Sequence, residues 1–86
     1  MRELVFTPRF DRLFRRLPER IRATTYEKLA LYRQDPAHPS LRVKRIKGND
    51  VLWELSITMN YRLTFEVQGE WVILRRIGTH DILRTP

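Results

Sequence analysis

The sequence has no cysteine, only three glycines and only two histidines. Without cysteine, neither disulfide bonds nor thiolate metal sites can form. His38 and His80 are far apart, and the ten acidic residues form no cluster that resembles a set of metal ligands. Glycine-rich phosphate loops and nucleophile elbows are also absent. We therefore expect no metal and no cofactor, and a metal-dependent nuclease is disfavoured.

Long apolar runs are missing as well. No segment approaches the roughly 18 apolar residues of a membrane-spanning helix, and the stretch MRELVFTPRF lacks the apolar core of a signal peptide. These absences predict a cytoplasmic protein. The 86 residues are 42% hydrophobic and 10% aromatic, which predicts one folded domain over residues 1–86.

Acidic residues are the minority among the charged side chains. Seventeen basic residues against ten acidic ones give a net charge of +7, and 14 of the 17 are arginines. Residues 1–34 carry nine basic and four acidic side chains, whereas residues 51–86 carry four of each. Because guanidinium groups match the geometry of phosphates, this balance favours an anionic partner, most simply a nucleic acid.

The first half of the sequence predicts a short strand followed by two helices. Residues 3–7 are apolar and β-branched, as in a strand. Thr7-Pro8 is typical of a helix N-cap followed by proline at the first helical position, and Leu17-Pro18 ends that helix. A second helix is predicted from about Pro18 to Gln34. Its tight connection to the first predicts a helical hairpin, and its inner face is expected to consist of Ile21, Thr25, Leu29 and Tyr32.

The second half alternates between apolar and polar residues, which is typical of strands. Strands are predicted over residues 41–47, 51–58, 61–67 and 71–77, separated by the turns GND, MN and QGE. Trp53 and Trp71 fall on the apolar stripes, so we expect both in the core. The pattern β-α-α-β-β-β-β predicts an α+β fold with an N-terminal strand, a helical hairpin and a four-stranded antiparallel meander. The helices are expected to pack on one face of the sheet.

His80 is the strongest candidate for a catalytic residue. Its imidazole can exchange a proton near neutral pH, and it follows the Gly78-Thr79 pair at a predicted strand end, where a side chain can face a cleft. The alternative is an exposed histidine without a role. We interpret Asp81 as local structure, the cap of a short turn, and His38 as a loop residue.

Basic residues of the sheet form the second group of candidates. Arg62 and Arg76 are expected to share the face that the helices leave open, where they can bind a phosphate and stabilise the charge of phosphoryl transfer. Solvated arginines are the alternative. A backbone-binding role in RNA recognition is predicted for four further residues: Lys44 and Arg45 of the basic run at 44–47, Arg75 and Arg84.

Several segments together resemble the RelE/ParE superfamily of toxins from bacterial type II toxin–antitoxin pairs. They are distributed over nearly the whole chain and include RLFRRL, DPAHPSL, WEL, NYRLTF and VILRRIGTHD. The family fold, a small antiparallel sheet carrying an N-terminal helical hairpin, agrees with the pattern above. The RelE-like branch cuts mRNA on the ribosome without a metal, by attack of the RNA 2′-hydroxyl on its own 3′-phosphate. The ParE-like branch blocks DNA gyrase and cuts nothing.

The resemblance implies a toxin that inhibits translation as an endoribonuclease. It implies His80 as general acid or base, Arg62 and Arg76 as ligands of the scissile phosphate, and Lys47 as a further catalytic group. The implied partners are mRNA on the ribosome, an acidic and partly disordered antitoxin, and operator DNA through the antitoxin complex.

Two departures from the RelE-like pattern keep alternatives open. Leu83 and Arg84 stand where RelE-type and YafQ-type members place a base-stacking Tyr or Phe, and WELSITM replaces an upstream His/Asp motif. A ParE-like gyrase inhibitor and a non-catalytic antitoxin-binding domain therefore remain alternatives.

Overall fold

A computed structural model describes residues 2–86. The elements follow the predicted order. They are β1 (Glu3–Phe6), α1 (Pro8–Arg15), α2 (Glu19–Gln34), β2 (Lys44–Arg45), β3 (Trp53–Ser56), β4 (Tyr61–Gln68) and β5 (Trp71–Thr79), with 3-10 helices at Pro39–Leu41 and His80–Arg84.

The helical hairpin forms where its capping residues predict it. The Thr7 side chain accepts a hydrogen bond from the backbone N–H of Phe10 (3.2 Å), and Pro8 occupies the first helical turn. The Thr7 hydroxyl also donates to the carbonyl of Leu74 (2.7 Å), so the same residue attaches α1 to β5. The buried residues of α2 are the four predicted for its inner face: Ile21, Thr25, Leu29 and Tyr32.

The sheet is mixed, which corrects the predicted antiparallel arrangement. Its five strands lie in the order β1-β5-β4-β3-β2, and β1 pairs with β5 in parallel, whereas the other three pairs are antiparallel. The helical hairpin connects β1, at one edge of the sheet, to β2 at the other edge. The later strands then add from β2 back towards β1, so the last strand, β5, lies beside β1. Three hairpins between β2 and β5 then bring β5 into the same direction as β1.

A β-bulge in β5 places one tryptophan on the surface. Thr64 pairs with Arg76 and Phe65 with Leu74, so Arg75 is an extra residue that reverses the alternation of side chains. Trp71 consequently lies on the face opposite the helices and is 55% exposed, so its predicted core position is wrong. Trp53 packs against the core as expected.

Several strand boundaries also differ from prediction. β3 covers only Trp53–Ser56 of the strand predicted over residues 51–58. The segment predicted as a strand over 41–47 pairs only at Lys44–Arg45, because Pro39–Leu41 forms a 3-10 turn. Its N-cap is His38, whose Nδ1 accepts from the backbone N–H of Ser40 (3.1 Å). His38 is thus the loop residue predicted. At the other end, β5 continues through Gly78 to Thr79, so Gly78-Thr79 is not a break in the strand.

The core lies between the helices and one face of the sheet. Tyr32 of α2 meets Phe65 of β4 edge to face at 5.3 Å between ring centroids. Other buried members of the core are Phe10, Ile21, Leu29, Leu41, Leu55, Ile57, Leu63, Val72, Leu74 and Ile77. Among residues 2–86, no helix is long and apolar enough to cross a membrane.

Candidate functional site

Arg62 and Arg76 lie on the sheet face opposite the helices, as predicted. Thr64 pairs with Arg76, and Arg62 pairs with Gly78, so the two arginines occupy neighbouring positions on β4 and β5. The core residues Leu63 and Ile77 pair with each other on the opposite face. The register therefore brings both predicted phosphate ligands to one side of the sheet.

Arg62 is buried, and its side chain is fully engaged within the fold. It is only 9% exposed. Its Nη1 donates to the carbonyls of Thr58 (2.5 Å) and Met59 (2.6 Å) in the turn between β3 and β4, and to the carbonyl of Tyr61 (3.2 Å) at the start of β4. Its Nε lies 3.8 Å from Oε1 of Glu54, which is also buried. Arg62 therefore organises the β3–β4 turn.

Arg76 is less buried and is held by the residues that follow β5. Its Nη1 donates to the carbonyl of Thr85 (2.6 Å) and to the Thr85 hydroxyl (3.1 Å). Its Nε is buried and has no hydrogen-bond partner among residues 2–86. Such a donor can bind an anion without breaking an existing bond of its own.

His80 directly follows β5 and is exposed. Its backbone N–H donates to the carbonyl of Asn60 (3.0 Å), in the turn that Arg62 organises. Within residues 2–86, neither the His80 nor the Asp81 side chain makes a hydrogen bond or an ion pair. Asp81 is exposed in the first turn of the 3-10 helix His80–Arg84, and the N-cap of that helix is Thr79, so Asp81 is not the cap predicted from the sequence.

The 3-10 helix and the residues after it cover the face that holds the two arginines. Ile82 is buried, and its Cγ2 lies 3.0 Å from the position that a Cβ atom would take on Gly78. The Thr64 hydroxyl donates to the carbonyl of Pro86 (3.3 Å). Arg84 is exposed on the same segment. This face was expected to be open, but residues 82–86 close part of it.

The basic run at 44–47 is divided between different surfaces. Arg45 lies on the helix side, where its Cζ is 4.5 Å from the ring centroid of Trp53 and its Nη1 donates to the carbonyl of Asp50. Lys44 pairs in register with Glu54, and Lys47 follows β2 in the turn. Arg75, at the bulge, pairs with Glu66 at 3.3 Å. These side chains therefore do not converge on one point.

Glu54 is the member of this site that sequence patterning missed. Alternation along β3 assigns this polar residue to the face opposite the core, yet it is only 6% exposed. The signal that could have revealed it is its parity: residues 54 and 62 both lie on the non-apolar faces of adjacent strands, one acidic and one basic.

Together these residues can support proton transfer and anion binding. An exposed imidazole can serve as acid or base, and the Arg76 guanidinium can stabilise charge that develops on a phosphorane. Among residues 2–86, no three His, Asp or Glu side chains are grouped so as to hold a metal ion.

Comparison with known proteins identifies the fold. No protein-family model and no curated protein sequence matches the chain. Solved structures do match over nearly its whole length. YafQ from E. coli strain BL21(DE3) has a TM-score of 0.78 at 11% identity, covering 96% of this chain and 98% of YafQ. RelE in the RelB–RelE antitoxin–toxin complex from Methanococcus jannaschii has a TM-score of 0.76 at 22% identity, with coverages of 94% and 95%.

A third match widens the set of relatives. The YoeB/ParE toxin from Agrobacterium tumefaciens has a TM-score of 0.74 at 18% identity, covering 93% of this chain and 99% of that toxin. At these identities the likeness concerns the fold. The chain therefore has the fold of the RelE, YafQ and YoeB/ParE toxins, and the resemblance predicted from its sequence is confirmed at that level.

Proposed function

We propose that this protein is the toxin of a toxin–antitoxin pair and a metal-independent endoribonuclease that cuts mRNA on the ribosome, thereby inhibiting translation. The observation that carries the proposal is His80: an exposed imidazole without a side-chain partner among residues 2–86, at the end of the strand that carries Arg76. The fold shared with RelE and YafQ supports it.

In the proposed reaction, the RNA 2′-hydroxyl attacks the adjacent phosphorus while its proton passes to a base. The P–O5′ bond breaks, and the departing oxygen receives a proton from an acid. His80 takes one of these two roles. Arg76 stabilises the phosphorane, whose oxygens replace the Thr85 acceptors that now hold its guanidinium. Lys47 follows β2, and β3 and β4 separate that strand from β5, so we assign Lys47 to the RNA backbone and not to this step.

Arg62 acts through the fold in this scheme. Its Nη1 donates to three backbone carbonyls and its Nε faces Glu54, so we assign it as a positioning residue and not as a phosphate ligand. The turn it holds contains Asn60, whose carbonyl fixes the backbone of His80. RNA backbone contacts are assigned to Lys44, Arg75 and Arg84, whereas Arg45 is committed to Trp53.

The proposed protein partner is an acidic, partly disordered antitoxin. The net charge of +7 favours a partner of opposite charge. RelE in the Methanococcus jannaschii structure and YafQ in an E. coli structure are each bound to an antitoxin, RelB and DinJ. Copurification of this protein with the product of an adjacent gene tests the assignment.

A gyrase inhibitor is the second candidate function. The engagement of Arg62 and the cover over Gly78 favour it, because both reduce the surface available to a phosphate. Primer extension on total RNA after induction separates the two. Cuts inside coding regions that disappear in His80→Ala support the nuclease, whereas DNA breaks or altered supercoiling with intact mRNA support gyrase inhibition.

A further inference from the structure

The outer surface of α1 and its C-cap residue carry three arginines that the proposed reaction does not use. Arg9, Arg12 and Arg16 are exposed and follow the helical spacing of three and four residues, so they form one ridge. Within residues 2–86, none of their side chains makes an ion pair or a hydrogen bond. These residues account for part of the basic excess in residues 1–34.

This ridge faces Arg76 across a hollow. Arg9, Arg12, Arg16 and Arg76 line a depression of about 150 Å³ together with Leu13. A second depression, of about 330 Å³, is lined by Arg9, Arg75 and Arg76, among others. Because Arg9 and Arg76 line both, the two depressions are adjacent, and we call the pair the arginine groove. It leads from α1 to the bulge of β5.

The chemistry of the arginine groove favours phosphates. Four arginines line its smaller depression, and a side-chain carboxylate is absent from its described lining. The buried Nε of Arg76 lacks an acceptor. Like charges on successive helical turns repel one another, and an anion between them removes that repulsion.

The lining also selects among anionic partners. An amphipathic acidic peptide needs apolar pockets for its anchor residues. The apolar lining is limited to Leu13 in the smaller depression and to Pro8, Ile73 and Pro86 in the larger one. No aromatic side chain lines either depression, so the groove contains no ring on which a base could stack. It is suited to a phosphate backbone without regard to sequence.

We propose that the arginine groove binds the phosphate backbone of the RNA strand that passes the candidate site, holding nucleotides next to those at Arg76. This assignment rests on the proposed RNA-directed function, because Arg76 belongs to both the groove and the site. Arg9, Arg12 and Arg16 contribute affinity and direction to the strand, and they take no part in bond breaking.

The test compares two variants that lose the same charge. Arg12→Gln/Arg16→Gln removes two groove arginines, whereas Arg15→Gln/Arg20→Gln removes two exposed arginines that do not line it. The probe is a 2′-O-methyl RNA oligonucleotide of about 16 nucleotides, which lacks the attacking hydroxyl. Affinity is measured over a range of salt concentrations, and thermal melting checks that each variant is folded.

The slope of log K against log salt is negative, and loss of two phosphate contacts should reduce its magnitude by about 1.4 for a single strand. We expect that decrease in the groove variant and a smaller one in the control. An equal decrease in both variants, or an unchanged slope in the groove variant, would overturn the proposal. Loss of antitoxin binding without loss of RNA binding would overturn it in favour of a protein-docking groove. Arg9→Gln, measured alone, keeps the test decisive if the double variant fails to fold.

The experiment distinguishes failure of the nuclease assignment from failure of the groove assignment. The oligonucleotide cannot be cleaved, so its binding does not depend on catalysis. A fully toxic His80→Ala protein with a normal salt slope would refute the nuclease and leave the groove in place. The reverse result is mRNA cleavage by the protein together with an unchanged salt slope in the groove variant. It would refute the groove and leave the nuclease in place.

Discussion

Ile82 lies directly over Gly78, with its Cγ2 at 3.0 Å from the position of a Cβ atom on that glycine. This contact holds the 3-10 helix His80–Arg84 against the sheet. Gly78 lies between Arg76 and His80 in the sequence. A Cβ atom at residue 78 would therefore be tightly packed against Ile82, and the strand continues through this residue.

We expect Gly78→Ala to destabilise the protein by about 1–2 kcal/mol through overpacking. The same substitution should cost less in an Ile82→Ala background, because that change removes the Cγ2 atom. Denaturant unfolding of the four proteins in the cycle measures the coupling. Equal costs in both backgrounds would show that the contact with Ile82 does not restrict residue 78.

The buried pair between Glu54 and Arg62 provides a second prediction. Glu54→Gln leaves Arg62 buried without its carboxylate, although the turn carbonyls still accept from its guanidinium. We expect a loss of about 1–3 kcal/mol in the free energy of unfolding. Glu3→Gln is the control, since the more exposed Glu3–Arg33 pair should contribute less than about 1 kcal/mol. Similar losses in both variants would contradict a structural role for the Arg62 pair.

His80→Ala tests the proposed acid or base directly. Removal of such a group typically lowers the rate by ~10²–10⁴-fold, so growth arrest should be abolished or sharply reduced. Because His80 is exposed, the melting temperature of the variant should differ little from that of the unmodified protein. Asp81→Ala should retain most of the toxicity. Full growth arrest by a soluble, folded His80→Ala protein would refute the assignment.

The basic run at 44–47 should separate into two kinds of residue. Lys44→Gln/Lys47→Gln should reduce the salt dependence of RNA binding by about 1.4 in slope if both contact phosphates. Arg45→Gln should instead lower stability by about 0.5–1 kcal/mol through loss of its contact with Trp53. A change in slope from Arg45→Gln equal to that from the lysines would show that the helix side of β2 also contacts RNA.

Local patterns in the sequence determined most of the secondary structure. The Thr7-Pro8 pair marks the start of α1, the four-residue inner face of α2 follows helical spacing, and alternation along β4 separates Leu63 and Phe65 from Arg62 and Thr64. Each of these signals acts within a few residues, through capping, side-chain periodicity or turn geometry. The same alternation placed Arg62 and Arg76 on one face.

Only the tertiary structure decided how those elements meet. The parallel pairing of β1 with β5 depends on a chain crossing the whole sheet, and the bulge at Arg75 exposes Trp71 because one extra residue reverses the alternation. The same is true of the site. Glu54 and three backbone carbonyls engage Arg62. The side chain and the carbonyl of Thr85 engage Arg76. These partners are distant in sequence or lie in irregular segments. Periodicity reports which face a side chain occupies, whereas packing across elements determines what covers that face.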